Sequence, residues 1–174
     1  MPSPKRTAVS SYSRYLPWAW FGVTALVLIF DQWTKVLANT QLMYGEREVI
    51  TSFFNITLRY NYGVAFSVFD DIDGGQRWPL AALAFVVSIA VVIWIIKIGK
   101  KAGFEALGLA LVLGGALGNL YDRVVLGYVV DFIELHYAGY YWPAFNIADS
   151  SICVGAALLI YDGFFGAKPK SKAD

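Results

Sequence analysis

The run WPLAALAFVVSIAVVIWII, Trp78 to Ile96, passes nineteen residues without one charged side chain. At about 1.5 Å of rise per residue, a helix of that length crosses the roughly 30 Å hydrocarbon core of a bilayer. A chain holding such a segment has few folds open to it, because backbone polar groups in lipid must be satisfied internally. The segment predicts a transmembrane helix, and the remainder of the sequence has to be compatible with one.

Three further apolar stretches qualify, each with an acidic residue near one end: Leu16 to about Leu37, Phe104 to about Tyr121, and about Phe145 to Phe165. The chain therefore reads as one membrane domain over residues 1–174, with helices at about 16–37, 78–98, 104–123 and 145–165. Composition agrees. Of the 174 residues 57% are hydrophobic and 16% charged, and mean hydropathy is +0.53, against about 25% charged in soluble domains. A net charge of +1 and the lack of a basic stripe interleaved with aromatics exclude a nucleic-acid partner. Cys153 stands alone, which excludes an internal disulfide and a cysteine-based zinc cluster; it reads as a small packing residue.

The first stretch has the basic flank of a cleaved signal segment, but its apolar core ends in DQWTK instead of a small-residue cleavage site, so it reads as retained. Lys5, Arg6 and Arg14 precede helix 1, Lys97, Lys100 and Lys101 join helices 2 and 3, and Lys168, Lys170 and Lys172 follow helix 4. All fall on one side, and the positive-inside rule makes that side, with both termini, cytoplasmic. On the other side, residues 39–77 contain EVITSFFNITLRYNYGVAFSVF, whose β-branched and aromatic residues predict a small sheet left by the acidic turn DDIDGG. Residues 124–144 read as a loop carrying interfacial aromatics, HYAGYYW.

The polar residues of the spans gather at the end facing these loops: Asp31 and Lys35, then Asn119, Asp122 and Arg123, then Asp149. Asp31 and Lys35 have the i, i+4 spacing of a helix ion pair. Gly115, Asn119 and Arg123 share one face of helix 3, while Gly114 and Gly118 form a small-xxx-small pair for close helix approach. Asn146 and Asp149 share a face of helix 4. Asp131, in VVDF, and Asp149 stand where folding could bring them together, although spacing alone does not require it. If they meet, like charges raise one pKa and the pair shares a proton, the chemistry of aspartic proteolysis. Two separately paired interfacial aspartates, or a proton pathway, fit the same spacing. His136 is the single histidine and leaves HExxH zinc proteolysis without ligands. Ser88 and Lys97 lie about 13 Å apart along helix 2, too far for a Ser–Lys hydrolase.

Five blocks in order carry a resemblance: DQWTK (31–35), NYGVAF (61–66), GGALGNLYDR (114–123), VVDF (129–132) and FNIADS (145–150). With four helices around them, the chain resembles the lipoprotein signal peptidases (signal peptidase II) of bacteria. The resemblance implies an all-α integral membrane protein with four transmembrane helices, a small extracytoplasmic β-cradle and a short extracytoplasmic helix. It implies an aspartic endopeptidase needing no metal or cofactor, which cleaves prolipoproteins before a diacylglyceryl-modified cysteine at the outer face of the bacterial inner membrane. Asp131 and Asp149 take the catalytic positions. Asn61, Gly63, Asn119, Arg123 and Asn146 fall on positions around the site, and Asp31 and Lys35 on a structural motif. The expected partners are the lipidated precursors and membrane lipid, with the enzyme a monomer. Tyr62 stands where the family usually has threonine, and no role is assigned to it. A proton-coupled transporter and a noncatalytic assembly factor are the alternatives that the residues alone leave open.

Overall fold

The computed structural model describes residues 16–63, 76–98 and 103–166. In chain order they form α1 (Leu16–Gln41), β1 (Arg47–Val49), β2 (Phe54–Asn61), α2 (Arg77–Ile98), α3 (Phe104–Val125), β3 (Val129–Tyr137), β4 (Tyr140–Tyr141) and α4 (Ile147–Phe165). The four helices are each long and apolar enough to cross a membrane. Lys5, Arg6, Arg14, Lys100, Lys101, Lys168, Lys170, Lys172, the end of NYGVAF and the DDIDGG turn lie outside the described residues.

Glycine explains why α3 sits at the centre, packed against α1, α2 and α4. A Cβ on Gly114 would lie 2.7 Å from Val27 of α1, and one on Gly118 2.6 Å from the Asp31 carboxylate. On another face, a Cβ on Gly115 would collide with the Ala148 carbonyl of α4, and Gly108 and Gly155 meet backbone to backbone. Gly114 and Gly118 thus form the close-packing pair expected of them, directed at α1, while the face of Gly115 and Asn119 meets α4. Packing of this kind matters in lipid, where exposed apolar side chains supply no drive for helices to associate. Val91, Ile95, Leu109 and Leu113 fill the α2–α3 contact. Leu26, Phe85, Ile93 and Phe164 point outward, as lipid-facing residues do.

At one end of the bundle the strands form an antiparallel sheet in the order β1-β2-β3-β4. The residues that read as a loop in the sequence, 124–144, are thus largely strand. Val129 to Phe132 of β3 are all buried, so the strand lacks the alternation that marks a half-exposed one. A two-residue turn at Ala138 (φ 49°) and Gly139 (φ 85°) joins β3 to β4, both left-handed as a tight hairpin requires. The described residues include no short helix outside the four spans. Tyr137, Tyr140, Tyr141 and Trp142 are exposed at this end, where the sequence places its aromatic belt.

Candidate active site

Asp131 is held on β3, whose partner β2 sets Arg59 opposite it. The chain then turns at β4 and returns. Phe132 and Ile133 both donate their N–H to the Phe145 carbonyl, at 3.0 and 2.8 Å, and Phe145 N–H donates back to Ile133 at 3.0 Å. These bonds tie the segment before α4 to β3 and set Asn146 beside Asp131. Helix α4 starts at Ile147, two residues later than expected, because Asn146 is its N-cap. The Asn146 side chain accepts from Asp149 N–H at 2.9 Å, and Asp149 Oδ2 accepts from Asn146 N–H at 3.2 Å. This reciprocal capping box fixes where Asp149 sits.

Asn146 bridges the two carboxylates, through its side chain to Asp131 and its backbone N–H to Asp149, and further side-chain amides hold each of them. Asn146 Nδ2 donates to Asp131 Oδ1 at 2.7 Å, and Asn61 Nδ2 donates to Asp131 Oδ2 at 3.1 Å. Asn119 Nδ2 donates to Asp149 Oδ1 at 2.7 Å. Gly63, in turn, donates its N–H to Asn61 Oδ1 at 3.0 Å and so holds that amide in place. Asp131, Asp149, Asn61, Gly63 and Arg123 all line one cavity of about 1030 Å³. Arg123 donates to the Asn119 carbonyl at 3.2 Å, while its Nε is buried with no acceptor among the described residues.

Burial, and then the negative charge of Asp149, raise the Asp131 pKa from 3.8 to about 7, against the opposing pull of the Asn61 and Asn146 hydrogen bonds and the Lys35 charge. Near neutral pH this carboxyl is therefore able to give or take a proton. At the rim, burial pushes Glu134 up, but hydrogen bonds from Arg47 and Asn55 more than offset it and hold the carboxyl below its usual range. Arg47 grips Glu134 through two nitrogens, at 2.5 and 2.8 Å, and lies 4.3 Å over the Tyr141 ring. That brace ties β1 to β3 and β4 at the mouth of the cavity.

The expected Asp31–Lys35 ion pair forms, at 2.8 Å, but it is larger than a pair. Lys35 also meets Asp122 Oδ2 at 2.9 Å and Asn119 Oδ1 at 3.1 Å. Gln32 donates to Asp122 at 2.8 Å, and Asp31 Oδ1 accepts the Ala148 N–H at 2.8 Å. Sequence reasoning misses Asp122 and Gln32 as site residues. Their helical spacing gives no sign of partners some ninety positions away on another helix. Cys153 is exposed and lines the cavity instead of packing inside. His136 stacks on Tyr141, and Ser88 bonds its own helix at Ala84; neither joins the site. Tyr62 packs beside Tyr128 at the cavity wall.

The signal peptidase (SPase) II family pattern matches residues 23–165. The chain is 59% identical over 155 residues to the lipoprotein signal peptidase of Teredinibacter turnerae, covering 89% of this chain and 92% of that one. To the lipoprotein signal peptidase of Pseudomonas aeruginosa it is 50% identical, covering 88% and 90%. A bacterial membrane enzyme solved by the in meso method at 2.3 Å resolution superposes with a TM-score of 0.79 at 33% identity, covering 92% of this chain and 96% of that chain. A match through all four spans, the sheet and both aspartate blocks leaves one assignment: the chain belongs to the signal peptidase II family.

Proposed function

We propose that this protein removes signal peptides from prolipoproteins in the bacterial inner membrane, as an aspartic endopeptidase with Asp131 and Asp149 as its catalytic pair. The observation that carries the aspartic reading is the amide-bridged pair of carboxylates on one cavity, one of them with a pKa raised to about 7 by burial and its neighbour's charge. A pair that holds one proton between two acids can take a proton from water while supplying one to the departing amine. Water adds to the scissile carbonyl, the C–N bond breaks, and the new carboxylate and amine leave. Arg123 and Asn61, both on the cavity wall, are donors suited to the substrate backbone and the tetrahedral oxygen.

The substrate is a precursor whose cysteine already carries diacylglycerol, cut on the N-terminal side of that cysteine. Its signal helix lies in lipid between helices while the modified cysteine reaches the sheet end. That end faces out of the cytoplasm, both termini are cytoplasmic, and the enzyme acts as a monomer among lipids. The transporter and assembly-factor readings are not favoured: the buried charged groups collect at one end of the bundle, and the relatives are named peptidases. The test is incubation of the purified protein in detergent with matched precursors, one diacylglyceryl-modified and one not. Release of the signal peptide from the modified precursor alone is the expected result; equal cleavage of both overturns the lipid requirement.

A further inference from the structure

We propose that Lys35 is a positioning residue for hydrolysis, acting through Asn119: its ammonium pins the Asn119 amide oxygen, which turns the amide NH₂ onto Asp149. The inference rests on the reading of Asp149 as a catalytic carboxylate and adds a residue that reaches the reacting groups only at second hand.

Counting hydrogens carries it. Lys35 is 3% exposed, and its three N–H bonds have three acceptors: Asp31 Oδ2 at 2.8 Å, Asp122 Oδ2 at 2.9 Å and Asn119 Oδ1 at 3.1 Å. Asn119 Oδ1 has one other donor in reach, Asn146 Nδ2 at 3.4 Å. That NH₂ has two hydrogens and two nearer acceptors, Asp131 Oδ1 at 2.7 Å and the Val130 carbonyl at 3.2 Å. Asn146 therefore cannot hold the Asn119 oxygen, and the lysine does. The opposite amide orientation would set NH₂ against an ammonium and oxygen against a carboxylate, two repulsions in a buried place. A buried ammonium among two aspartates is costly to keep in a membrane helix when its only service is packing. Asp31 and Asp122 balance its charge, and each is tied to an element of the site: Asp31 accepts Ala148 N–H of α4, and Asp122 accepts Val130 N–H of β3. Arg123, the other charged group on α3 facing the aspartate pair, lines the same cavity and donates to the Asn119 backbone carbonyl, not to its side chain.

The experiment compares kcat, KM and the pH profile of the parent, Lys35→Met, Asn119→Ala, the double variant and Asp149→Asn, each normalised to folded protein in detergent. Lys35→Met is expected to lose roughly tenfold to a hundredfold in kcat with KM little changed, the range that one hydrogen bond to a charged group carries. A pair that has lost a donor to its carboxylate holds its shared proton more tightly, so the acid limb of the profile moves to higher pH. The double variant is expected to be no slower than Asn119→Ala, since the lysine acts only through that amide. Losses that multiply in the double variant, or a Lys35→Met enzyme with unchanged kcat and profile per folded molecule, overturn the proposal. Should Lys35→Met fail to fold, Lys35→Met with Asp122→Asn keeps the net charge of the cluster, still lacks the donor, and is held to the same outcomes. An active Asp149→Asn would instead overturn the catalytic reading itself, a result separate from the Lys35 comparison.

Discussion

At the level of single residues, Asp131 makes a prediction that activity does not enter. Its pKa is raised in the fold from 3.8 to about 7. Between those values the folded protein binds more protons than the unfolded one, so this residue's contribution to stability falls as pH rises through the window. Asp131→Asn cannot ionise and escapes that loss. The difference in Tm, variant minus parent, is expected to grow by several degrees from pH 5 to pH 8 in detergent; a difference independent of pH contradicts the shift. In the sequence, the two aspartates are singled out as a pair by the family blocks VVDF and FNIADS; their spacing alone leaves two separately paired carboxylates or a proton pathway open as well. Their partners are less legible. The bonds from Asn61, Asn146 and Asn119 join β2, the α4 cap and α3, and a spacing rule sees only neighbours on one helix. Asp122 shows this most plainly, since its acceptor atoms serve Gln32 and Lys35 on α1 and Val130 on β3.

Among the elements, the α3–α4 contact is the one on which the site depends. Gly115 lies one turn before Asn119, with the Ala148 carbonyl inside the space that a Cβ would need. Gly115→Ala must push α4 away, at about 1 to 3 kcal/mol for overpacking, and Asp149 moves with it. The expected result is a lower Tm and a fall in activity larger than the loss of folded protein explains. Gly22 is the control, because a Cβ there would have nothing within 4 Å: Gly22→Ala leaves both unchanged or slightly improved. All four helices are readable from hydropathy, within a few residues at their ends. Strand β3 is not, because its partner β2 lies some seventy residues back and its buried first half has no period of two. The turn at Ala138 is a further cost visible only in the backbone. Its φ of 49° is left-handed, and Ala138→Gly is expected to raise Tm by relieving roughly 1 kcal/mol, with activity unchanged.

For the molecule as a whole, the proposed orientation has a direct check in the membrane. In a Cys153→Ser background, Ser52→Cys lies at the sheet end and Gly103→Cys at the opposite end, both exposed. A membrane-impermeant maleimide is expected to label the first in intact spheroplasts and the second only after permeabilisation; the reverse pattern contradicts the orientation. The bundle, the sheet and the family fit together because α3 brings the glycines that let α1 and α4 approach, and the bonds from β3 to Phe145 bring Asp131 to the head of α4. Whether that meeting is the catalytic device is tested most directly by two substitutions. Asp131→Asn and Asp149→Asn, purified separately and shown to be folded, are assayed on a diacylglyceryl-modified precursor. Each is expected to lose at least about a hundredfold in kcat, the lower range for removing a general acid or base. Full cleavage by either folded variant would contradict the account.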